Sequence, residues 1–232
     1  MRDMNTHRLT FAFAALVAGL SAAGCQSTAS AGATSSTAAA DPSGAPLGVR
    51  GVQKSNAGAS PGHAGNGTAL TPQPGHALAA FAEGCFWGSE NTFRHVAGVT
   101  ATAVGYTGGH TESPSYEAVC SHTTGHAEAV LVEFDPKVVS YRDLVRVFYK
   151  THDPTTKNRQ GPDVGDQYRS AIFTFDDEQK AVAAAVIAEE QPRLQRPITT
   201  EVAPIGRFYI AEDYHQQYDE KTGKESCPLP LR

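Results

Sequence analysis

Cys85 is the residue in this chain best placed to act as a nucleophile. It follows Gly84 at the end of a short apolar run, Ala77 to Glu83, and precedes a stretch from Glu90 to Val96 with helical character. A thiol at a helix N-terminus faces N–H groups without intrahelical partners and the positive end of the helix dipole, and both favour the thiolate. Phe86 and Trp87, the only tryptophan, follow directly. Read from this neighbourhood alone, Cys85 is equally a reactive thiol or a small side chain buried in a strand-to-helix turn. A second candidate lies in His126 to Phe134, which reads as a strand. Side chains alternate along a strand, so Glu128 shares a face with Val130, Val132 and Phe134. A carboxyl among apolar neighbours favours its protonated form, as a general acid requires. The competing reading is a glutamate at a strand end reaching solvent. A third element, Arg159 to Ser170, is a polar, glycine-broken loop, and loops of this kind carry sites.

These residues need a scaffold. Ala77 to Glu83 and Val99 to Tyr106 read as strands, the latter stopping at Gly108-Gly109. Tyr116 to Cys120 reads as a helical turn, and Asp135-Pro136 ends the Glu128 strand. Tyr141 to Thr151 carries Leu144, Val145, Phe148 and Tyr149 at helical spacing, with Ser140 as its cap. Tyr168 to Phe175 is a strand, Asp176 to Leu194 an Ala- and Glu-rich helix, and Ile198 to Ile205 a further strand. Strands alternating with helices on one sheet predict a two-layer α+β domain.

The rest of the chain reads differently. Of its 232 residues, the first 24 combine a positive start (Arg2, Arg8), a short apolar stretch from Phe11 to Leu20, and the small residues Ser21 to Gly24. That is an export signal. Gly24-Cys25 resembles the lipobox of bacterial lipoproteins, in which the cysteine is lipidated, although Ala22 stands where that pattern prefers leucine. Plain secretion, with Cys25 a bystander, is the alternative. Residues 26–76, rich in Ala, Ser, Gly, Thr and Pro, read as a disordered tether, too apolar-poor to offset the entropy of ordering. Residues 77–232 form the domain. Without the signal the charge is 17 basic against 23 acidic residues; no basic cluster recommends nucleic acid as a partner. Four cysteines are present. If Cys25 is lipidated, three remain, and an odd number in an exported protein argues for a reactive thiol over a purely structural disulfide framework.

At this point the residues resemble a family. Gly84-Cys85-Phe86-Trp87-Gly88-Ser89-Glu90 is similar to the active-site signature of the A-type peptide-methionine (S)-S-oxide reductases. The resemblance continues through Gly105 to Gly109, Tyr116 to Cys120, Thr124 to Glu128, His152 to Thr155, the Arg159 to Ser170 loop and Ala211 to Tyr218, in order and over nearly all of 77–232. The B-type enzymes, which reduce the other sulfoxide epimer, use another fold and usually zinc-binding cysteine pairs that this sequence lacks.

The resemblance implies a two-layer α/β sandwich with a ferredoxin-like mixed sheet core, and it assigns roles. Cys85 attacks the sulfoxide sulfur, and Glu128 protonates its oxygen while Tyr116 and Tyr168 hydrogen-bond it. Phe86 and Trp87 line the pocket for the substrate methyl group, and Asp163 shapes the loop that places Tyr168. The sulfenic acid left on Cys85 condenses with a second thiol. Cys227, after a polar run from Lys221 to Ser226, is the natural choice, with Cys120 packing instead. A thioredoxin-like reductant then recycles the disulfide. No further cysteine follows Cys227, so one resolving step is expected. Neither metal nor bound cofactor is expected; His126, His152 and His215 read as structural hydrogen-bonders. The expected partners are oxidised proteins or peptides, the reductant and, through Cys25, a membrane. The expected location is the bacterial periplasm or cell envelope, and the expected state a monomer. Two other functions fit the bare residues: a cysteine hydrolase pairing Cys85 with a histidine, and a non-catalytic envelope lipoprotein that binds oxidised or Met-rich partners.

Overall fold

The computed structural model describes residues 54–65 and 67–225. The expected signal segment, Cys25, the first part of the tether and Cys227 all lie outside the described residues. In chain order the elements are β1 (Ala77–Glu83), α1 (Phe86–Arg94), β2 (Val99–Thr107), α2 (Tyr116–Cys120), β3 (Ala127–Phe134) and α3 (Tyr141–Thr151). Then come β4 (Arg159–Gln160), β5 (Asp163–Val164), β6 (Ser170–Thr174), α4 (Asp177–Glu190), β7 (Glu201–Pro204), β8 (Tyr209–Ile210) and α5 (Tyr218–Thr222).

Six strands make one sheet in the order β7-β6-β1-β3-β2-β8. Every neighbouring pair is antiparallel except β6 with β7. The unit β1-α1-β2-β3-α3-β6, with its strands ordered β6-β1-β3-β2, is the ferredoxin-like core. One crossover through α4 adds β7 in parallel. The expected fold class is thus what the chain adopts.

The two faces of the sheet differ. On the helical side Phe81 of β1 stacks on Phe93 of α1 (centroids 4.8 Å apart) and on Phe148 of α3 (5.5 Å). Val130, Val132, Phe134, Leu144, Ile172 and Val186 complete that core. The other face presents Ala80, Ala82, Ala127, Ala129 and Ala171 around Leu131 and Phe173. Small side chains there let irregular chain, including Leu70 and Phe208, lie directly on the strands.

Local signals account for most boundaries. Ser140 Oγ accepts the Asp143 N–H and opens α3, and Asp176 does the same for α4 through Gln179 N–H. The expected helix to Leu194 stops at Glu190 and passes into a 3-10 turn, Gln191–Arg193. Pro192 has no N–H to continue the α ladder. α1 starts earlier than expected, at Phe86. Gly88 in its first turn weakens its helical signal, and a tertiary bond to Glu128 offsets that. Lys221 and Thr222, expected in a loose run before Cys227, close α5.

The tether needs correction. Its described part, from Lys54 to His76, carries little regular structure but is bound to the domain. Gly58 pairs with β2: Gly58 N–H donates to Thr100 O (2.8 Å) and Thr102 N–H to Gly58 O (3.1 Å). The buried Glu133 carboxylate accepts from Gly62 N–H (2.7 Å) and contacts His76 Nδ1 (3.0 Å). Composition measures how much apolar surface a segment can bury. This segment is held instead by polar groups that the domain supplies.

Candidate active site

Cys85 is the N-cap of α1 and is 7 % exposed. Its carbonyl accepts from Ser89 N–H (3.4 Å) and Ser89 Oγ (3.2 Å). The turn into it depends on Gly84, whose φ is +101°. A Cβ on Gly84 would also lie 2.7 Å from the Gln160 side chain. Gln160 in turn bonds both the N–H and the carbonyl of Asp153. The β4–β5 hairpin, which carries Asp163, is thereby seated against the nucleophile turn.

Glu128 is 2 % exposed, on the helical side of β3 with Val130 and Val132. The face predicted from strand alternation is the observed one, and the solvent-reaching alternative is excluded. Glu128 Oε2 accepts the N–H of Phe86 at 3.1 Å. That N–H belongs to the residue after Cys85, so the carboxyl sits at the helix end that carries the thiol.

An aromatic wall stands beside this pair. Phe86 is buried with Tyr106 and Val119, and Trp87 and Tyr116 pack against them. Trp87 Nε1–H donates to His215 Nδ1 at 3.0 Å, and Tyr218 stacks on the Trp87 ring with centroids 3.9 Å apart. His215 also meets Tyr116 at 4.6 Å. Glu212 fixes two members: Oε2 accepts from Tyr106 OH and Oε1 from Tyr116 N–H, each at 2.9 Å. Burial opposes ionisation of Glu212, but these bonds outweigh it and hold the carboxyl below its ordinary range. Burial pushes His215 down to about 4, against the pull of Glu212 and Glu117. The hydrogen bond from Trp87 occupies Nδ1, the site a second proton would need, so His215 is a neutral Nε2–H tautomer. His215 is the structural hydrogen-bonder expected of it; Glu212 and Tyr218 lie in the Ala211 to Tyr218 motif but carry no sequence signal for their places in the site.

Tyr168 is buried at the end of a 3-10 turn, Asp166–Tyr168, that packs against β3. His122 Nδ1 and Gln167 Oε1, 2.8 Å apart, tie that turn to the chain following α2, whose first residue is Tyr116. The structure thus assembles Cys85, Phe86, Trp87, Tyr116 and Glu128 around the start of α1, with the Asp163 and Tyr168 loop beside them. Cys120, half-buried, closes α2. His126 and His152 are structural: His126 bridges Gly109 N–H and Thr111 O, and His152 meets Phe148 O and Ser170 Oγ. Among the described residues no cluster of His, Cys, Asp and Glu could hold a metal. None of their helices is long and apolar enough to cross a membrane.

A buried thiol and a buried carboxyl at one helix end, walled by aromatic rings, suit an apolar substrate whose polar atom needs a proton. Comparison with known proteins agrees. The family described as peptide methionine sulfoxide reductase matches residues 77–232. The chain is 61% identical over 160 residues to the peptide methionine sulfoxide reductase MsrA of Methanosarcina acetivorans, covering 67% of this chain and 85% of that protein. The namesake from Methanosarcina mazei is 58% identical over 160 residues, covering 67% and 76%. Among solved structures, reduced Mxr1 from Saccharomyces cerevisiae is similar with a TM-score of 0.65 at 40% identity, covering 68% of this chain and 93% of that one. Methionine sulfoxide reductase A of Corynebacterium diphtheriae gives a TM-score of 0.60 at 33% identity, covering 80% and 100%. With the family's match spanning the whole sandwich and the site at its centre, the chain belongs to the A-type peptide-methionine (S)-S-oxide reductases.

Proposed function

We propose that this enzyme reduces the S epimer of methionine sulfoxide, in proteins and as the free amino acid, through a sulfenic acid on Cys85. The observation that carries this reading is the 3.1 Å bond from Phe86 N–H to Glu128 Oε2, which puts a carboxyl at the thiol's end of α1. Oxide is a poor leaving group, so the sulfoxide needs a proton on oxygen before sulfur can be attacked. Glu128 supplies that proton, and the Tyr116 and Tyr168 hydroxyls steady the oxygen. The Cys85 thiolate bonds to sulfur, the oxygen passes to Cys85, and methionine departs. Cys85 loses two electrons and the sulfoxide gains them. Phe86 and Trp87 hold the substrate's methyl group, and Asp163 shapes the loop opposite.

Cys227 then attacks the sulfenic sulfur, water leaves, and a Cys85–Cys227 disulfide remains. A thioredoxin-like protein reduces it. The N-terminal pattern supports export to the envelope, with Cys25 carrying lipid and the catalytic domain acting as a monomer beyond the membrane surface. His215 Nδ1 already accepts the Trp87 indole N–H, and burial lowers its proton affinity, so it makes a poor base for the cysteine-hydrolase alternative.

The test is a dithiothreitol-driven assay on both sulfoxide epimers. The S epimer should be consumed and the R epimer spared, and Cys85→Ser should abolish turnover. Glu128→Gln should slow methionine release about 10²–10⁴-fold, the usual worth of a positioned acid. Equal action on both epimers, or a fully active Cys85→Ser protein, refutes the mechanism.

A further inference from the structure

At the end of the sheet nearest Cys85, four polar side chains stand in one row across the strands. β6 pairs Ser170 with Glu83 of β1, and β2 pairs Tyr106 with Glu128 of β3. β1 and β3 pair from Ala77 with Phe134 to Phe81 with Val130. Two residues further in that register, Glu83 stands opposite Glu128. All four lie on the helical side. Ser170 is in step with Ile172, Glu83 with Phe81 and Glu128 with Val130, and Tyr106 packs on Phe86 of α1. Their exposures are 4%, 0%, 2% and 0% in the order Ser170, Glu83, Glu128, Tyr106.

The reaction makes no use of Glu83, yet it is a fully buried carboxyl two residues before the nucleophile. Its Oε2 accepts from Thr151 Oγ1 (2.9 Å) and lies 3.7 Å from His152 Nδ1, both at the C-terminal end of α3. His152 needs no positive charge there. Its Nδ1–H is spent on Phe148 O (2.7 Å), and Ser170 Oγ, itself bonded to Thr200 Oγ1 (2.8 Å), donates to Nε2 (2.7 Å). One ring proton satisfies both nitrogens. The other titratable groups around the two carboxyls are Tyr106 from β2, Cys85 at the cap of α1 and Tyr168 from the turn packed on β3. None of these three is a cation. Charged neighbours are engaged elsewhere. Glu90 of α1 bonds Thr102 and Gln217, Asp166 pairs with His122, and Arg169 turns to Glu201.

We propose that Glu83 is a positioning residue for the reaction's acid: it and Glu128 form a buried carboxyl pair that holds one proton between them, so that a proton stays at hand for the sulfoxide oxygen. This rests on the reading of Glu128 as the proton donor. Side chains directly opposite each other on paired strands have Cβ atoms about 5 Å apart. Two carboxylates sharing a dry site disfavour each other's charge, and the pair titrates as a unit. At an effective dielectric of about 20 the last proton of such a pair leaves about one to two pH units later than it would from a lone carboxyl.

The experiment follows methionine release in a single turnover of the full chain, with S-sulfoxide and no reductant, from acid to alkaline pH. Glu83→Gln keeps the shape and removes the charge. Glu83→Met, of similar length, removes the charge without adding an amide. The limb on which release falls as pH rises reports loss of the acid's proton. In both variants it should move down by about one to two pH units. A limb in the same place in the parent and both variants, or absent from all three, overturns the proposal. Adding Glu83→Gln to Glu128→Gln separates positioning from mere support. With the acid already gone, the second change should alter release by less than about twofold. A further large drop makes Glu83 a prop for the turn into Cys85, and the proposal falls. The reading beneath it is tested separately: a Glu128→Gln chain that releases methionine as fast as its parent removes the acid itself, and the pair loses its purpose.

Discussion

Acidification should destabilise this protein through His215, and replacing that residue should remove the effect. His215 is 1% exposed, accepts the indole N–H of Trp87 on Nδ1, and has no hydrogen-bond partner for Nε2. Burial depresses its proton affinity from the ordinary 6.5 to about 4. In the unfolded chain the imidazole takes up a proton as pH falls through 6.5; in the folded chain it resists until about 4. Between those values the unfolded state binds more protons, so stability rises with pH there. The contribution is complete above pH 6.5 and is lost on the way down. Between pH 7.5 and pH 5 the two affinities imply a loss of about 2 kcal/mol. Other groups titrate in this range too, among them His126, whose proton affinity burial also lowers; they are common to parent and variant and drop out of the difference between the two.

The perturbation is His215→Asn. The amide oxygen can still accept from Trp87 but cannot titrate in this range. Asparagine is smaller and leaves a packing defect, whose cost is the same at every pH and drops out of the slope. Urea unfolding followed by far-UV circular dichroism at pH 5, 6 and 7.5 gives both stability curves. The parent should lose about 2 kcal/mol more than the variant across that range. Parallel curves, within about 0.5 kcal/mol, would show that His215 is not held neutral by its surroundings. The tautomer assigned from the Trp87 bond would fall with them.

The same reasoning reaches other positions. Gly84→Ala places a side chain at φ +101° and against Gln160, so stability should fall by about 1–3 kcal/mol in urea titration. Dithiothreitol-driven reduction should fall as well, because the strained residue adjoins Cys85. Phe148→Ala removes a fully buried ring from the stack on Phe81 and should cost about 3–5 kcal/mol in the same titration. Activity per folded molecule should stay near normal, since Phe148 lies in the core behind the site.

What could be read in advance was whatever depended on neighbours in sequence. Strand alternation put Glu128 on the helical face, and the Ser140 cap fixed the start of α3. The run from Ala77 to Glu83 matched β1 end to end. Sequence and structure part where distant groups decide. The segment up to His76 is poor in apolar residues and so reads as a tether. Its described part is held by Arg94 and Glu133, partners 37 and 71 positions away from the atoms they bind. The two-residue strands β4, β5 and β8 carry no periodicity at that length. Glu212, His215 and Tyr218 act on Tyr116 and Trp87 across 96 to 131 positions of chain, and no local pattern announces such a contact.

The stripe Trp87, Glu90, Arg94 explains why these long-range contacts belong together. The spacing is three and then four residues, so the three side chains share one face of α1. Each meets the same C-terminal segment: Trp87 meets His215 and Tyr218, Glu90 meets Gln217, and Arg94 meets Glu220. That segment is neither strand nor long helix. Gln216 hangs it on the edge of β2, its Oε1 accepting Val104 N–H and its Nε2 donating to Val104 O. Those are the bonds a strand backbone would make, supplied by a side chain. A true strand here would have continued the ladder and carried the chain along the sheet edge. A side-chain mimic instead lets the backbone turn away at Gln217 after one point of attachment. The wall beside the thiol and α5 are therefore consecutive parts of one strap, fixed to the helix that Cys85 caps. A change in the register of that strap would move the wall and α5 at once.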